Sequence, residues 1–317
     1  SDLDTLPDGW EVTNGRDPLV ADYQVTLGGG HTCALDDTGV VCWGRYDYGQ
    51  TDVPALSNPT QISLGDHTCA LDDTGVVCWG DSRYGQTDVP ALSNPTQVSL
   101  GYNDSCALDD TGVVCWGRNI NGSSDVPALS NPTQVSLGYY HTCALDDTGV
   151  VCWGGNGDGQ TDVPALSNPT QVSLGDFHTC ALDDTGVVCW GRNNYGQTDV
   201  PALSNPTQVS LGYAHTCALD DSGVVCWGSN SSGQTDVPAL SNPTQVSLGY
   251  FHTCAFDDTG VVCWGYNYHG QTDVPTLTID PDGDGYTNHN RRDAFPLDPS
   301  ASKDFDGDGL PDDWNAG

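Results

Sequence analysis

The sequence contains no methionine, one lysine (Lys303) and one glutamate (Glu11) among its 317 residues. The acidic side chains are therefore almost all aspartates, and the formal net charge is -35. Such a charge repels nucleic acid and anionic membranes, and it suits cation binding or a salty medium. Long apolar runs are also missing, since the longest resemble GVVCW and a membrane-spanning helix needs roughly 20 residues. We therefore expect no nucleic-acid partner and no membrane insertion.

What the sequence does contain is one unit of 36 or 37 residues, present in seven copies across residues 23–275. Its clearest copy, residues 170–206, reads TQVSLGDFHTCALDDTGVVCWGRNNYGQTDVPALSNP. A period this strict indicates a repeat architecture, because a unit this short buries its apolar face only by stacking on its neighbours.

All fourteen cysteines belong to the repeats, two in each copy with the spacing C-x8-C. Zinc knuckles use shorter spacings, and catalytic thiols do not come in seven copies. Disulfides are the better interpretation, and they predict an extracellular protein, either secreted or on a cell surface. Because the chain starts at Ser1 and has no methionine, we expect a mature or excised product of export.

Each repeat predicts a β-hairpin, because CALDD and GVVCW are rich in strand formers and the DDTG between them is a turn signal. Centring the first hairpin between Asp37 and Thr38 places Leu35 opposite Val40 and brings two cysteines face to face. The same register predicts seven disulfides: Cys33–Cys42, Cys69–Cys78, Cys106–Cys115, Cys143–Cys152, Cys180–Cys189, Cys217–Cys226 and Cys254–Cys263. In the loop-entropy account, each disulfide stabilises the folded chain by on the order of 2–3 kcal/mol.

The end of each repeat, TDVPALSNP, carries two prolines, which suit an outer edge or a connection rather than a central strand. Three or four short strands per unit, repeated seven times, describe the blades of a ring. A superhelical β-solenoid is the competing architecture. Closure is favoured because atypical capping repeats are missing and a closed ring has no open sheet ends to protect.

The segments HTCAL, G-x-V-x-C-W-G and N-x-x-G-Q resemble the regulator of chromosome condensation repeat in its secreted, cysteine-bearing bacterial form. The resemblance covers the repeats and implies an all-β, seven-bladed β-propeller with one disulfide per blade. Members of this family are mostly binding scaffolds, among them a nucleotide exchange factor and a secreted protein inhibitor of β-lactamase. The acidity of this chain departs from the nuclear member and argues against a chromatin role.

Two windows vary between the repeats, one before the HTC motif and one after WG. Both are loop-like and rich in Tyr, Asn, Ser and Arg, a mixture that is typical of binding loops. The alternative is drift on solvated loops, where sequences diverge first. The candidate binding face consists of Tyr46, Tyr48, Tyr84, Tyr140, Phe177, Tyr195, Tyr266 and Tyr268.

The recurring histidines, tryptophans and Asp-Asp pairs are interpreted as structural. A histidine at one blade position is expected to be satisfied by a local backbone hydrogen bond, the tryptophans to pack between blades, and the aspartates to form turns. No nucleophile elbow, phosphate loop or H-E-x-x-H motif is present. We therefore expect that the protein is not an enzyme.

After the repeats, DPDGDG, DAFPLDP and DFDGDGLPD resemble the thrombospondin type 3 calcium repeats of bacterial surface proteins. One loop offers oxygen ligands at EF-hand-like spacing from Asp304, Asp306, Asp308, the Leu310 carbonyl, Asp312 and Asn315. The preceding loop offers Asp280, Asp282, Asp284, the Tyr286 carbonyl and Asn288, with Asp293 replacing the closing ligand because Arg291 stands at that position. The alternative is an acidic, disordered tail.

The N-terminal segment DLDTLPDGW matches DGDGLPDDW near the C-terminus and contributes Asp2, Asp4, Asp8 and Glu11 to a partial copy of the same calcium motif. Two copies of one motif at the two ends suggest a tandem array, or subunits that join head to tail.

These observations predict three parts: an N-terminal partial calcium-loop segment (1–22), the propeller (23–276) and a calcium-binding segment (277–317). The predicted function is a non-enzymatic extracellular structural or adhesive protein, joined through calcium-stabilised ends to copies of itself or to other surface proteins and glycans. The alternative is a secreted binding module, a protein inhibitor or glycan binder, that uses the variable loop face.

Overall fold

The computed structural model describes residues 23–36 and 38–277, together with the backbone of two short strands, Ala301–Lys303 and Asp313–Trp314. The predicted calcium ligands lie outside the residues whose side chains are described. None of the described segments forms a helix with the length and hydrophobicity of a membrane span.

Each of the seven repeats forms one sheet of three antiparallel strands, in the order inner, middle, outer. The inner strands are β1 (Gln24–Leu27), β4 (Gln61–Leu64), β7 (Gln97–Leu100), β10 (Gln134–Leu137), β13 (Gln171–Leu174), β16 (Gln208–Leu211) and β19 (Gln245–Leu248). The middle strands are β2 (His31–Asp36), β5 (His67–Asp72), β8 (Asp104–Asp109), β11 (His141–Asp146), β14 (His178–Asp183), β17 (His215–Asp220) and β20 (His252–Asp257). The outer strands are β3 (Gly39–Gly44), β6 (Gly75–Gly80), β9 (Gly112–Gly117), β12 (Gly149–Gly154), β15 (Gly186–Gly191), β18 (Gly223–Gly228) and β21 (Gly260–Gly265).

The sheets are the blades of a closed ring. Each inner strand contacts the inner strand of the next blade, and β1 contacts β19, which joins the first blade to the seventh. The glutamine that opens each inner strand strengthens this contact: the Gln24 Oε1 accepts a hydrogen bond from the Ile62 amide at 2.9 Å, and the Gln245 Oε1 closes the ring by accepting one from Val25 at 2.8 Å. Closure leaves no inner strand without a neighbour.

The predicted hairpin and its disulfide are confirmed. In the first blade Leu35 pairs with Val40 and Cys33 with Cys42, and the same register and crosslink recur in all seven blades. The turn requires glycine, because Gly39 has a φ of 114° that other residues rarely adopt.

The core lies between the blades. The first cysteine of each pair is fully buried and packs against the inner strand of the next blade, as Cys69 does against Val98 and Leu100. Each disulfide therefore closes a hairpin and also forms part of an interface between blades.

The proline-rich end of each repeat forms no strand in the described blades, so each blade has three strands. The sequence left open a choice of three or four. The prolines cannot donate to a β-ladder, which explains why this segment forms no strand. It leads instead to the next blade, where the Ser57 carbonyl accepts a hydrogen bond from the Asp73 amide at 2.9 Å.

Strands β22 (Ala301–Lys303) and β23 (Asp313–Trp314) pair antiparallel with each other. In the sequence they flank the acidic loop of residues 304–312, which was predicted to bind calcium.

Candidate binding face

Both variable windows lie at the same end of the blades. His31 begins the middle strand and pairs with Gly44, which ends the outer strand, so the loop before β2 and the loop after β3 meet there. The Asp-Asp turns lie at the opposite end, where Asp36 pairs with Gly39. We call the end with the variable windows the loop face.

The first window places one residue of each blade near the axis of the ring. We call the following residues the axial cluster: Gly29, Asp66, Tyr102, Tyr139, Asp176, Tyr213 and Tyr250. The ring centroids of Tyr102 and Tyr139 lie 4.4 Å apart, and those of Tyr102 and Tyr250 lie 6.2 Å apart. Because Tyr102 belongs to the third blade and Tyr250 to the seventh, this second contact crosses the axis.

Aromatic rings continue outward from the axial cluster. The ring of Tyr213 lies 5.2 Å from that of Phe251, Phe251 lies 6.2 Å from Tyr266, and Tyr266 lies 6.3 Å from Tyr268, measured between centroids. Phe177 joins the same arc at 5.7 Å from Tyr139. The loop face therefore carries a continuous aromatic surface over blades three to seven.

The residues predicted for a binding face fall into two groups. Six tyrosines are exposed on the second window: Tyr46 (74%), Tyr48 (40%), Tyr84 (44%), Tyr195 (60%), Tyr266 (39%) and Tyr268 (79%). Tyr140 and Phe177 are half-buried in the aromatic arc. The structure brings all eight to one end of the ring.

The second window is held in place by its own polar residues. In the fifth blade the Asn193 Nδ2 donates to Asp199 at 2.7 Å, and the Asn193 Oδ1 accepts from the Thr198 amide at 3.1 Å. The Gln197 Oε1 accepts from the Tyr195 amide at 2.9 Å. The loop backbone is thus fixed before any partner arrives, while the Tyr195 ring projects into solvent.

The loop of one blade is also fastened to the next blade. The carbonyl oxygen of Gln50 accepts two hydrogen bonds from the second blade, from the Thr68 hydroxyl at 2.9 Å and from the Trp79 indole at 3.0 Å. This confirms the prediction that the tryptophans pack between blades, and it makes the loop face part of the rigid ring.

Arginines also belong to the loop face, although the binding residues predicted from the sequence were all aromatic. Between residues 23 and 277 every basic side chain other than histidine is an arginine of the second window, and each lies over an aromatic ring of the same face. Arg192, for example, lies 4.1 Å from the centroid of Phe177 and also binds Asp158 at 3.0 Å. The sequence carries a signal for these arginines, because three of the four, Arg45, Arg118 and Arg192, directly follow a WG motif.

A notch opens in the face between the seventh and first blades. The first blade has Gly29 and Gly30 where most other blades carry larger side chains. The resulting cleft of about 300 Å³ is lined by Gly29, Gly30, Arg45, Ser231, Ser232, Phe251, Tyr266 and His269. Aromatic rings beside hydroxyl and nitrogen donors are the lining that small polar ligands use.

Two carboxyl groups of the axial cluster are buried. Burial raises the pKa of Asp66 to about 6, and burial together with the charge of Asp66 raises the pKa of Asp176 to about 7. Burial and these two carboxylates hold the pKa of Tyr250 well above its usual range. At neutral pH the axial cluster therefore disfavours any additional negative charge.

The recurring histidines are structural, but their predicted partner was wrong. Six of them are fully buried, and each Nε2 lies within hydrogen-bonding distance of a Thr or Ser hydroxyl of the next blade, as His31 does to Thr68 at 2.8 Å. The expected bond to a local backbone group is replaced by a link between blades. Burial lowers the pKa of His141 and of the other five to about 3, so they are neutral at ordinary pH.

The third blade departs from this arrangement. Asp104 replaces the histidine, and its Oδ2 accepts a hydrogen bond from the Ser123 hydroxyl at 2.9 Å within the same repeat. Ser123 stands where the other repeats have glutamine. Burial raises the pKa of Asp104 to about 7, and its Oδ1 has no hydrogen-bond partner.

At the opposite end, the Asp-Asp pairs form the turns as predicted, and they also hold the linkers. In the fifth blade the Asp183 Oδ1 accepts from the amide and hydroxyl of Thr185 at 2.7 and 2.6 Å, while its Oδ2 accepts from the Ser167 amide at 2.8 Å. Burial would raise the pKa of Asp183, but these hydrogen bonds outweigh it and hold the pKa below its ordinary value. The described residues include no group of three or more His, Cys, Asp or Glu side chains that could hold a metal ion.

The repeats match the family model of the regulator of chromosome condensation (RCC1) repeat at residues 23–50, 60–86, 133–160, 170–197, 207–234 and 244–271. These matches cover more than half of the chain, which therefore belongs to the RCC1 repeat family. The third repeat, with Asp104 and Ser123, stands outside the matches. Among curated proteins, none matches this chain.

Solved structures share the fold at low sequence identity. The complete ectodomain of the receptor kinase CR4 from Physcomitrella patens has a TM-score of 0.67 and 23% identity, with 82% of this chain and 78% of that chain covered. The CRINKLY WD40 ectodomain of the Arabidopsis thaliana receptor kinase ACR4 has a TM-score of 0.64 and 24% identity, with coverage of 79% and 97%. Prp20p from Saccharomyces cerevisiae has a TM-score of 0.51 and 19% identity, with coverage of 89% and 80%. The resemblances show an RCC1-like propeller, and the seven disulfides favour an extracellular location.

Proposed function

We propose that this protein is a non-enzymatic extracellular binding module that recognises a partner protein through its loop face. The observation that carries the proposal is the segregation of residue types: the exposed tyrosines and all four arginines between residues 23 and 277 lie at one end of an acidic ring. Tyrosine and arginine are the residues that most often dominate protein interfaces.

Rigidity supports the same function. The second-window loops are pinned by Asn and Gln side chains, and their carbonyl groups are held by the next blade. A surface that is ordered in advance loses little conformational entropy on binding. The cleft beside Gly30 offers room for one side chain of a partner.

The test compares two triple variants of the full chain in binding to extracellular proteins of its source and to a glycan array. Tyr46→Ser, Tyr195→Ser and Tyr268→Ser remove the three most exposed rings of the face. Ala128→Ser, Ala165→Ser and Ala202→Ser alter exposed linker positions as a matched control. We expect the face variant to lose about tenfold or more in affinity for one protein, and the control to bind as the original chain does. Equal binding by both variants would contradict the proposal, and binding to glycans alone would replace a protein partner with a carbohydrate.

A second candidate is the calcium-stabilised array. It is supported by the recurrence of one acidic motif on both sides of the repeats and by the pairing of β22 with β23 on either side of residues 304–312. Calcium would be held by the carboxylates of residues such as Asp304 and Asp308, and it would join the ends of neighbouring copies.

Light scattering of the full chain with calcium and then with chelator tests this candidate. Growth of particles with calcium, its reversal by chelator and its loss in Asp308→Ala are the expected results. A chain that stays monomeric at every calcium concentration contradicts the non-covalent array, while binding through the loop face could still be measured on the same sample.

A further inference from the structure

The axial cluster holds a buried carboxylate. Asp176 is 6% exposed, so its oxygens retain only slight contact with solvent, and burial and the charges of Asp66 and Arg192, rather than hydrogen bonds, determine the environment of its carboxylate. The nearby guanidinium of Arg192 is bound to Asp158 at 3.0 Å instead. A buried carboxylate that receives no hydrogen bond is unfavourable unless it is neutralised or binds a cation.

A second carboxylate and several π faces lie close by. Asp66 is 8% exposed. A Cβ added to Gly29 would meet the Asp66 Oδ1 at 2.8 Å and the Tyr250 ring at 3.0 Å, so this carboxylate oxygen and the ring lie on either side of the space that Gly29 leaves open. Tyr250 in turn faces Tyr102 across the axis at 6.2 Å. Tyr102 and Tyr250 are half-buried rather than fully buried, so part of each side chain remains in contact with solvent.

We propose that the axial cluster is a binding site for an organic cation, an ammonium or guanidinium group, held by the carboxylates of Asp66 and Asp176 and by the rings of Tyr102, Tyr139 and Tyr250. The carboxylates accept hydrogen bonds from the N–H groups of the cation. The tyrosine faces attract its positive charge through their quadrupoles. The bound cation thereby donates to the Asp176 carboxylate and balances its charge.

The composition of the cluster favours an organic cation over a metal ion. Calcium takes six to eight oxygen ligands, whereas the axial positions provide two carboxylates and four tyrosines. The described part of the chain contains no metal-binding group of His, Cys, Asp or Glu. Aromatic faces add little to metal binding and much to the binding of a weakly hydrated guanidinium or alkylammonium.

Binding depends on pH because both carboxyl groups must be ionised. The groups that face Asp176 are Asp66, Tyr139, Tyr250 and Arg192. The groups that act on Asp66 are Arg45, Asp81, Tyr102 and Arg83. With a pKa of about 7 for Asp176 and about 6 for Asp66, both protonate as the pH falls below neutral. Affinity for a cation is then expected to be about tenfold or more higher near pH 8 than near pH 5.5.

The experiment is a calorimetric titration of the full chain with methylguanidinium and n-butylammonium, near both pH values, with n-butanol as a neutral probe of similar size. Asp176→Asn tests the site and Asp147→Asn, an exposed carboxylate at the opposite face, is the control. The expected results are binding of a cation but not of n-butanol, a loss of about tenfold or more in Asp176→Asn, and no change in Asp147→Asn. A carbon-13 titration of the aspartate carboxyls should show that the Asp176 pKa falls when methylguanidinium is added.

Titrations with two further probes identify the source of the cation. N-acetyl-lysine methylamide and N-acetyl-arginine methylamide represent side chains of a partner protein, whereas the simple amines represent free small molecules. Preference for the former indicates a protein partner, and preference for the latter a small-molecule ligand. The proposal is overturned if neither group binds, if Asp176→Asn binds as well as the original chain, or if calcium binds at this site in their place.

The cation site lies at the centre of the loop face and therefore rests on the proposed function, to which it adds a chemical class of ligand. The two proposals can nevertheless be contradicted separately. The triple variant at Tyr46, Tyr195 and Tyr268 leaves the axial cluster intact, so it should bind methylguanidinium normally. Loss of partner binding with retained cation binding in that variant supports both. Cation binding by a chain for which no partner protein is found contradicts only the proposed function.

Discussion

The imidazole Nε2 of His178 lies 2.9 Å from the hydroxyl oxygen of Thr216, and this contact joins the fifth blade to the sixth. Thr216 also donates to the carbonyl of Gln197 at 2.9 Å, so its hydroxyl proton is already committed and the imidazole Nε2 must be the donor in the contact between blades. The neutral histidine is therefore held in one tautomer by the ring, and its Nδ1 is left without a hydrogen-bond partner.

The first prediction concerns acid stability. Burial lowers the pKa of His178 in the folded chain to about 3, below its unfolded value of about 6.5. A depressed pKa contributes stability that is complete above the unfolded pKa and is lost as the pH falls toward the folded pKa. Six such histidines should make the chain less stable from about pH 6.5 downward.

The measurement is urea unfolding at a series of pH values. Each histidine should contribute up to about 1.4 kcal/mol per pH unit to the slope of the unfolding free energy between about pH 4 and 6. His178→Gln should reduce that slope by about 1.4 kcal/mol per pH unit, which corresponds to one proton, even if the variant is less stable overall. Ala128→Ser, which alters an exposed linker position without a titratable group, serves as control and should leave the slope unchanged. An unchanged slope in His178→Gln would contradict the assignment.

The second prediction concerns the third blade. The pKa of Asp104 in the folded chain is about 7, above its unfolded value of about 3.9, because the carboxyl is buried. A raised pKa contributes stability at low pH that is lost as the pH rises through the folded value. Asp104→Asn should therefore raise the unfolding free energy by about 1–3 kcal/mol more near pH 8 than near pH 5, because the folded chain must ionise the buried Asp104 between these values whereas the unfolded chain is already ionised at both. Thermal unfolding at both pH values checks this prediction, with Asp88→Asn at an exposed position as control. If Asp104→Asn is instead less stable than the original chain near pH 8, the Ser123 contact requires the charge of Asp104.

The third prediction concerns the disulfides. Digestion without reductant should yield seven crosslinked peptides, each from one repeat, and no free thiol. Removal of one crosslink by Cys180→Ala with Cys189→Ala should lower the unfolding free energy by about 2–3 kcal/mol, since it restores freedom to the unfolded chain. Crosslinks between different blades would be incompatible with the hairpin register.

The fourth prediction separates the two aspartates of one turn. Asp183 accepts three hydrogen bonds and is buried, whereas Asp184 is exposed and bonds to the Asn168 side chain. Asp183→Ala should cost about 2–4 kcal/mol of stability, because it leaves the Ser167 and Thr185 amides without acceptors, and Asp184→Ala should cost less than about 1 kcal/mol. Chemical denaturation of both variants gives the comparison, and similar losses would refute the different roles assigned to the pair.

Much of the blade could be predicted from the repeat alone. The pairing of Cys33 with Cys42 depends only on a turn at Thr38 and on the alternation of neighbouring residues, which a short stretch of sequence reveals. Comparison of the copies also predicted which loops vary and which of their aromatic residues form a candidate binding face. It did not reveal that Tyr102 lies against Tyr250, because these residues are in blades three and seven and meet only across the axis.

The sequence by itself determined the local hairpins, the seven disulfides and the number of blades, because each follows from interactions within one repeat and from the count of repeats. Only the tertiary structure decided the partners of the histidines, which lie in the next blade, and the burial of Asp176, which depends on how seven loops crowd around one axis. The physical reason is that contacts between blades depend on their spacing and rotation about the ring, and closure of the whole ring sets both.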